Sequence, residues 1–383
     1  MTDFDFNMVR TLRMARGGAP QLAERVAELG CRAALVVTDP GLLRSGILNP
    51  ALAGFARLDI RHVVFSDVEA DPPESVIEAA TAAARELGAD CVVGFGGGSS
   101  MDVAKLAALL ARNGRPLAEA YGVGQATGPR LPLVLVPTTA GTGSEVTPIS
   151  IVTTGESEKK GVVSPLLLPD VALLDAELTL GLPPHVTAAT GIDAMVHAIE
   201  AFTTKRLKNP ISDALATQAL RLLAGALHRA CRSPSDIGAR EDMLLGACLA
   251  GMAFANAPVA AVHALAYPVG ARFHVPHGLS NSLVLAPVIR FNLPAATPLY
   301  AQLLDVVQPG TAGSERMKAE AFVDYLGGLA GELGLPTRLR DVGIGAGDVA
   351  QLAADAMKQT RLLINNPRDV AESDAAALYS EAL

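Results

Sequence analysis

The stretch "DCVVGFGGGSSMDVAK", residues 90–105, decides the fold. Its first half is apolar and β-branched, which predicts a buried strand, and its second half predicts a helix. Gly96, Gly97 and Gly98 join the two and permit close backbone approach, and Ser99 is placed to cap the helix. A helix N-terminus attracts anions, so the turn indicates a phosphate site, although tight geometry alone would also use these glycines.

The same alternation of strand and helix surrounds this stretch. Strand-like runs occupy 33–39, 61–68 and 131–143, and apolar residues recur at helical spacing over 20–30 and 73–88. Alternating elements of this kind predict a mainly parallel sheet that is covered by helices on both faces. Such sheets bind ligands beyond the carboxyl ends of their strands.

The composition changes near "LGLPP" (180–184), after which Ala/Leu-rich helical periods replace the β-branched runs. A chain of 383 residues also exceeds what one hydrophobic core usually spans. We therefore predict two domains: a Rossmann-like α/β dinucleotide-binding domain at 1–180, and an all-helical metal-binding and substrate domain at 181–383.

Charge and composition exclude several classes of partner. The formal net charge is 31 − 39 = −8 with no basic block, which disfavours binding to nucleic acid or to an anionic membrane. The sequence contains no uninterrupted apolar run of ~18 residues or more that could span a bilayer. The opening "MTDFDFNMVR" lacks the pattern of a secretory signal, and the four cysteines show no C-x-x-C spacing. We expect a cytoplasmic protein with reduced thiols.

A second polar loop, "PTTAGTGSE" (137–145), follows the strand-like run "LPLVLV". The hydroxyls of Thr138, Thr139, Thr142 and Ser144 cluster with two glycines, which suits a phosphate, a ribose or a nicotinamide amide. A Ser/Thr-rich loop that caps a helix is the alternative. The occurrence of two such loops at predicted strand ends favours a nucleotide site.

Asp39 stands at the end of the strand-like run "AALVVTD". There a carboxylate can bind a ribose diol and repel a 2′-phosphate, which favours NAD over NADP. An aspartate before Pro40 can equally be a turn or N-cap residue, and from the local sequence this is the more ordinary account.

The stretch "GIDAMVHAIE" (191–200) sets Asp193 and His197 four residues apart among apolar neighbours. On a helix these positions share one face. Burying a carboxylate without a partner is costly, so the two side chains either satisfy each other or hold a cation.

A histidine-rich stretch, "VHALAYPVGARFHVPHG" (262–278), contains His263, His274 and His277, three of the seven histidines in the chain. A lone histidine is usually structural. Clustered imidazoles together with a carboxylate suit Zn²⁺ or Fe²⁺, so the sequence indicates a metal site.

Four motifs, in this order along the chain, resemble those of a known protein family. They are "GGGSSMDVAK", "PTTAGTGSEVT", "ATGIDAMVHAIEAF" and "HALAYPVGARFHVPHGLSN". Over nearly its whole length the chain resembles the iron-containing, group III alcohol dehydrogenases. The resemblance implies a dehydroquinate synthase-like architecture, a nucleotide-binding α/β domain followed by a helical domain. It also implies metal-dependent hydride transfer between NAD(H) and an alcohol/aldehyde pair, in a homodimer or larger assembly.

The resemblance also implies roles for individual residues. Asp193, His197, His263 and His277 would bind one divalent ion, usually Fe²⁺ and sometimes Zn²⁺. The residues that would contact the NAD cofactor are Asp39, Gly97, Gly98, Ser99, Asp102, Thr138, Thr139, Thr142, Ser144 and Lys160. Without the family, Lys160 would pass as a solvated surface charge.

The chain departs from the family pattern four residues after His263, where many relatives carry a histidine thought to assist proton transfer. This chain has Tyr267, and tyrosine with its ordinary pKa of about 10 is a poor proton shuttle at neutral pH. Either Tyr267 lines the substrate pocket while protons leave through ribose hydroxyls and water, or His274 replaces the missing base. Phe254 is a further candidate for the pocket wall, although helix packing would explain it equally well.

Other functions remain open from the sequence. A maleylacetate-type reductase works without a metal, and the complete set of ligands argues against it. A dehydroquinate synthase-like lyase needs basic residues for a phosphorylated substrate, and few lie near the ligand motifs. A nucleotide-binding module without catalysis would need no metal ligands. A primary alcohol and its aldehyde are the expected substrates.

Overall fold

The computed structural model describes residues 3–155 and 158–383, and the chain divides into two compact units. One unit comprises Asn7–Gly181. The other comprises Leu182–Leu383 together with N-terminal residues up to Phe6.

The first unit is an α/β unit with nine strands and five α-helices in its described residues. The strands are β1 Thr11–Met14, β2 Ala33–Val37, β3 Arg61–Phe65, β4 Cys91–Gly96, β5 Gly122–Val123, β6 Leu133–Pro137, β7 Ile149–Thr154, β8 Glu158–Val163 and β9 Val171–Leu174. The helices are α1 Leu22–Glu28, α2 Pro40–Ser45, α3 Asn49–Arg57, α4 Glu74–Leu87 and α5 Gly98–Asn113. Short 3₁₀ turns lie at Ala19–Gln21, Leu117–Glu119, Ser144–Val146, Pro165–Leu167 and Ala176–Thr179.

The main sheet has six strands in the order β1-β9-β6-β4-β2-β3, and every neighbouring pair is parallel. This confirms the predicted parallel α/β fold, and the four strand-like runs of the sequence are β2, β3, β4 and β6. Because the strands are parallel, the loops that follow β2, β4 and β6 meet at one edge of the sheet.

The central strands are buried on both faces, and their side chains alternate between two hydrophobic cores. Leu35 and Val37 of β2 join the core formed with α4 and α5. Val36 between them points to the opposite core, which contains Phe55 of α3. This two-sided burial explains why the strands are continuous apolar runs rather than alternating apolar and polar ones.

A second sheet of three strands, in the order β5-β8-β7, was not anticipated from the sequence. Its strands β7 and β8 pair antiparallel, and β5 pairs parallel with β8. The alternating burial of β7 identifies a strand that is covered on one face only.

The second unit is helical, as the sequence predicted. Its α-helices are α6 Pro184–Thr203, α7 Pro210–Arg232, α8 Ile237–Asn256, α9 Ala261–Phe273, α10 His277–Val307, α11 Glu315–Glu332, α12 Val349–Met357, α13 Thr360–Leu363 and α14 Glu372–Ala382. Short 3₁₀ turns lie at Leu339–Val342 and Ala346–Asp348. Helix α6 is apolar on nearly all sides and packs against α7, α8 and α10, so its polar residues lie deep inside this unit.

In the described part of the chain, α10 is long and apolar enough to cross a membrane by length and composition. Helices α8 and α9 pass the same test together, although they meet at an angle of 107°. Helix α10 packs against α6, α9 and α11 and carries buried Asn281 and Asn292. These contacts describe a core helix of the helical unit.

Replacing Gly94 by alanine should overpack the contact between β4 and α5. A methyl group there would lie 2.7 Å from Leu135 Cδ2, 2.8 Å from Ala104 Cβ and 3.2 Å from Met101 Cα. The alanine and the helix backbone cannot rotate away. We therefore expect Gly94→Ala to lower the free energy of unfolding by about 1–3 kcal/mol, measured by urea denaturation.

Gly225→Ala is the matched control, because it adds the same methyl group on α7 where nothing lies within 4 Å. Alanine is the better helix former, so this variant should be more stable than the wild type by up to about 1 kcal/mol. A Gly94→Ala protein as stable as the wild type would contradict the close packing of α5 on β4.

Candidate functional site

The glycine turn connects β4 to α5 at the carboxyl edge of the main sheet. Helix α5 begins at Gly98 with Gly97 as its N-cap, and no side chain of the described residues caps it. The expectation that Ser99 caps α5 is therefore wrong, because Ser99 is already inside the first turn. Gly96 has φ +156°, and a Cβ there would lie 2.6 Å from Ser100 Oγ, so this position requires glycine.

The glycine turn at 96–98 and the hydroxyl-rich loop at 137–145, called the Ser/Thr loop below, lie side by side. The backbone N–H of Thr138 donates to the carbonyl of Gly96 at 3.0 Å. A Cβ on Gly98 would lie 3.0 Å from Thr142 Cγ2, which places the two loops in contact. The structure thus brings together the uncapped N-terminus of α5 and the hydroxyl-rich loop that follows β6.

A buried ammonium group, which sequence reasoning missed, holds these loops in place. Lys105 is fully buried on α5, and its Nζ donates to Ser144 Oγ at 2.7 Å, Thr147 Oγ1 at 3.2 Å and the carbonyl of Ile149 at 2.7 Å. Asp102 lies 3.5 Å from Nζ. The signal in the sequence was the charged residue at the end of "GGGSSMDVAK", directly before the apolar run "LAALLA" (106–111) of the same helix.

Asp102 and Ser144 are partners within the same network. Ser144 Oγ donates to Asp102 Oδ1 at 2.7 Å, and the backbone N–H of Ile151 donates to Oδ2 at 2.8 Å. Burial lowers the pKa of the Lys105 ammonium, while the charges of Asp102 and Glu145 oppose that shift. The network therefore ties α5, the Ser/Thr loop and β7 to one another.

The two remaining nucleotide candidates have different surroundings. Asp39 is the N-cap of α2, and its Oδ1 accepts from the N–H groups of Gly41 at 2.8 Å and Leu42 at 2.9 Å. The capping alternative is thus what the structure contains. Lys160 lies on β8, with Nζ 5.7 Å from the ring centre of Tyr121.

In the helical unit, four side chains from three helices converge. Asp193 and His197 lie on α6, His263 on α9, and His277 is the first residue of α10. One ligand atom from each lies within 4.8 Å of those of the others. Asp193 Oδ1 is 3.5 Å from His277 Nε2 and 3.9 Å from His263 Nε2.

This donor set fits a divalent transition metal. Imidazole nitrogens and carboxylate oxygens bind Zn²⁺ at about 2.0–2.2 Å. The four ligand atoms would therefore have to move only slightly closer to one another to bind one ion. Asp193, His197 and His263 are at most 4% exposed, whereas the side chain of His277 is 41% exposed. The cluster is therefore closed on the side of α6 and accessible beside His277.

The carboxyl group of Asp193 is held in its charged form. Burial by itself raises the pKa of Asp193, but the imidazoles of His197, His277 and His263 and the amide of Asn281 lower it below its ordinary value. A buried carboxylate among three imidazoles is a strong attractor for a cation.

Asn281 is a further member of the site that sequence reasoning missed. It is fully buried, and its Nδ2 donates to Asp193 Oδ1 at 2.6 Å and lies 3.3 Å from Nε2 of both His263 and His277. Asn281 follows His277 by four residues on α10, so the spacing that revealed Asp193 and His197 would also have revealed this pair.

Aromatic rings border the cluster. The Phe254 ring stacks on His197 at 4.3 Å between ring centres, and the Tyr267 ring lies 5.9 Å from His277 and 6.5 Å from His263. His274 does not join the four-residue cluster in the described part of the chain. It ends α9 in the left-handed conformation with φ +54° and is exposed.

Two family models match the chain in succession. The model described as "Iron-containing alcohol dehydrogenase" matches residues 10–176. The model described as "Fe-containing alcohol dehydrogenase family, C-terminal" matches residues 187–383.

Similar proteins cover almost the whole chain. Long-chain-alcohol dehydrogenase 1 of Geobacillus thermodenitrificans is 40% identical over 373 residues, which is 96% of this chain and 93% of that protein. The crystal structure of a 1,3-propanediol oxidoreductase has a TM-score of 0.96 at 35% identity and covers 100% of both chains. Sulfoacetaldehyde reductase from Bifidobacterium kashiwanohense, in complex with NAD⁺, has a TM-score of 0.90 at 29% identity and covers 100% of this chain and 99% of that one.

Replacing Gly278 by alanine should disturb the ion site through the first turn of α10. A Cβ there would lie 2.4 Å from the carbonyl oxygen of Ala189 and 3.3 Å from Asp193 Cβ. Because that carbonyl belongs to the backbone of α6, α10 must shift, and His277 and Asn281 shift with it. We expect Zn²⁺ affinity to fall by about 10-fold or more, measured by calorimetric titration of metal-free protein.

Gly327→Ala provides the control on α11. Its added Cβ would lie 3.5 Å from Ala286 Cβ on α10, which is an ordinary contact. This variant should keep the wild-type affinity for Zn²⁺. Unchanged affinity in Gly278→Ala as well would show that the close approach of α10 to α6 does not control the site.

Proposed function

The chain belongs to the iron-containing alcohol dehydrogenase family, and from this premise we propose that it transfers a hydride between NAD(H) and an alcohol/aldehyde pair. At the level of the family it is an alcohol/aldehyde oxidoreductase with an Asp/His metal site in its helical unit. The observation that carries the proposal is the convergence of one carboxylate and three imidazoles from α6, α9 and α10.

We propose that Asp193, His197, His263 and His277 hold one Fe²⁺ ion, for which Zn²⁺ can substitute, because imidazole and carboxylate suit both metals. When bound, the ion supplies Lewis acidity to the alcohol or carbonyl oxygen, and the nicotinamide accepts or donates the hydride. Asp193 and the buried imidazoles fix the cation in a site that excludes water on the side of α6. Substrate approaches beside His277, the most exposed ligand, where the Tyr267 ring lies 5.9 Å from the His277 ring.

The proposed NAD site is the pair of loops at the carboxyl edge of the main sheet. The uncapped N-terminus of α5, with Gly97, Gly98 and Ser99, is suited to the pyrophosphate. The adjacent hydroxyls of the Ser/Thr loop, Thr138, Thr139 and Thr142, are suited to the rest of the nucleotide.

Three charged residues complete the proposed NAD site. Asp39 would repel the 2′-phosphate of NADP while it caps α2. Asp102, through its bond to Ser144, would hold the two loops together. Lys160, which comes from β8, is proposed to reach the cofactor.

The substrate, location and assembly are proposed more broadly. A primary alcohol and its aldehyde are the expected substrates, since Phe254 and Tyr267 offer an uncharged border to the ion site. We propose a cytoplasmic enzyme that forms a homodimer or a larger homo-oligomer and binds neither nucleic acid nor membrane. Size-exclusion chromatography with light scattering tests the assembly.

The function is tested on protein purified without oxygen. We expect about one divalent metal ion per chain and oxidation of NADH in the presence of aldehydes, with both lost after chelation and restored by Fe²⁺. Full reductase activity in the metal-free protein would instead support a maleylacetate-type reductase. Conversion of a phosphorylated substrate without net oxidation of NADH would support a dehydroquinate synthase-like lyase.

The ligand assignment predicts different effects for two histidines of α6. We expect His197→Ala to lower both metal content and turnover by about 10²-fold or more, since even residues that only support a metal ligand contribute about 10–100-fold. His185 is exposed on the same helix, so His185→Ala should leave both quantities unchanged. Wild-type metal content in His197→Ala would remove this residue from the ligand set.

The proton route is tested with a second pair of variants. His274 has a positive φ, so it is replaced by asparagine, which tolerates this conformation, rather than by alanine. We expect His274→Asn to lower kcat at pH 7 by about 10-fold, less than a sole general base contributes because water can take over part of the role. Tyr267→Phe should change KM more than kcat. The reverse order would assign proton transfer to Tyr267, and negligible effects in both would remove both residues from the mechanism.

A further inference from the structure

Glu200 lies on the same helix as two of the proposed metal ligands but is not one of them. It follows His197 by three residues and Asp193 by seven, so all three side chains share one face of α6. Glu200 is only 3% exposed. A carboxylate buried to this extent requires hydrogen-bond donors.

The donors come from the beginning of α9. Glu200 Oε2 accepts from the backbone N–H of Ala260 at 2.9 Å and from His263 Nδ1 at 2.7 Å, and Oε1 accepts from the N–H of Val262 at 2.7 Å. Ala260 is the N-cap of α9 and has no polar side chain of its own. Glu200 therefore caps α9 from a neighbouring helix, at the end where the helix dipole favours a negative charge.

The bond to His263 has a chemical consequence for the ion site. A carboxylate only accepts hydrogen bonds, so the proton of a neutral His263 must reside on Nδ1. Nε2 then keeps its lone pair, and this atom lies 3.9 Å from Asp193 Oδ1 within the cluster. We propose that Glu200 is a positioning residue that sets the affinity of the site for its cation by fixing the tautomer and the ring orientation of His263. This inference rests on the proposed function, because it concerns the same metal site.

A purely structural link between α6 and α9 would explain the same contacts, but other groups already hold the segment before α9. Asn365 Nδ2 donates to the carbonyl of Val259 at 2.9 Å, and Asn209 Nδ2 donates to the carbonyl of Asn256 at 3.3 Å. These two bonds do not involve Glu200. A variant that keeps the shape of Glu200 is therefore expected to fold.

Glu200→Gln is that variant. Depending on how it is turned, its amide places an NH₂ group against the donor of His263 or against that of Val262, and the charged acceptor is lost in both cases. We expect the Kd for Zn²⁺ to rise about 10–100-fold, measured on full-length, metal-free protein by competition with a chelating dye. The visible absorption of the Co²⁺-loaded variant should also shift, because this spectrum reports the geometry of the ligands rather than the stability of the fold.

Asp175→Asn is the matched control for a buried carboxylate with three donors. Asp175 is 1% exposed and accepts from the N–H groups of Gly17 at 3.1 Å, Ala19 at 2.9 Å and Glu177 at 3.1 Å, all in the α/β unit. This change should lower the midpoint of thermal unfolding and leave the Kd for Zn²⁺ unchanged. A role of Glu200 in stability alone would make the two variants behave alike.

A measurement on the wild type decides the matter even if Glu200→Gln does not fold. In ¹⁵N-histidine NMR of metal-free protein, we expect His263, identified by the signal that His263→Gln removes, to carry its proton on Nδ1. A proton on Nε2 would overturn the proposal, and so would a wild-type Kd and Co²⁺ spectrum in Glu200→Gln. Failure of the wild type to bind Zn²⁺ or Co²⁺ at all would overturn the proposed function instead.

Discussion

The burial of the Asp193 carboxylate is the constraint on which the helical unit depends. Moving a charge of this kind out of water costs several kcal/mol unless partners compensate for it. Asn281 donates to it at 2.6 Å, and three imidazoles surround it. His197 lies on α6 itself, but His263 comes from α9, and His277 and Asn281 come from α10. The carboxylate is therefore fully satisfied only when both helices pack at the correct position against α6. The packing of α6, α9 and α10 that satisfies the carboxylate is therefore the same packing that sets the ligand geometry.

The α/β unit uses a buried charge of opposite sign for a similar purpose. Lys105 donates to Ser144, Thr147 and the carbonyl of Ile149, and thereby joins α5 to the loop after β6. Glycines allow the two loops to approach each other, and the carbonyl of Gly96 accepts from the N–H of Thr138, but glycines have no side chain with which to bond the other loop. The charged network supplies the side-chain bonds. Asp102 and Ser144, which the family resemblance implies as cofactor contacts, take part in holding the loops.

Local sequence predicted those features that depend on local periodicity. Runs rich in apolar and β-branched residues identified β2, β3, β4 and β6, and the i, i+4 spacing placed Asp193 and His197 on one helical face. The short strands β1, β5 and β9 were missed, because so few residues carry little periodic signal. The hairpin of β7 and β8 was missed because neither strand is a continuous apolar run. The choice of His263 and His277 over His274 was not available from local spacing either. It depends on α9 ending at His274 with a positive φ, after which α10 begins at His277 in a new direction.

Contacts between distant segments could not be predicted either, because local spacing carries no information about which segments pack together. Glu200 stands within the motif that revealed Asp193 and His197, yet its donors come from residues about sixty positions later. Its carboxylate lies at the N-terminus of α9, and that of Asp193 lies beside the first turn of α10. Helix N-termini repel cations, so a metal site built there needs negative charge nearby. The two carboxylates together balance the charge of one divalent cation. This balance of charge accounts for a second buried carboxylate that is not itself a ligand.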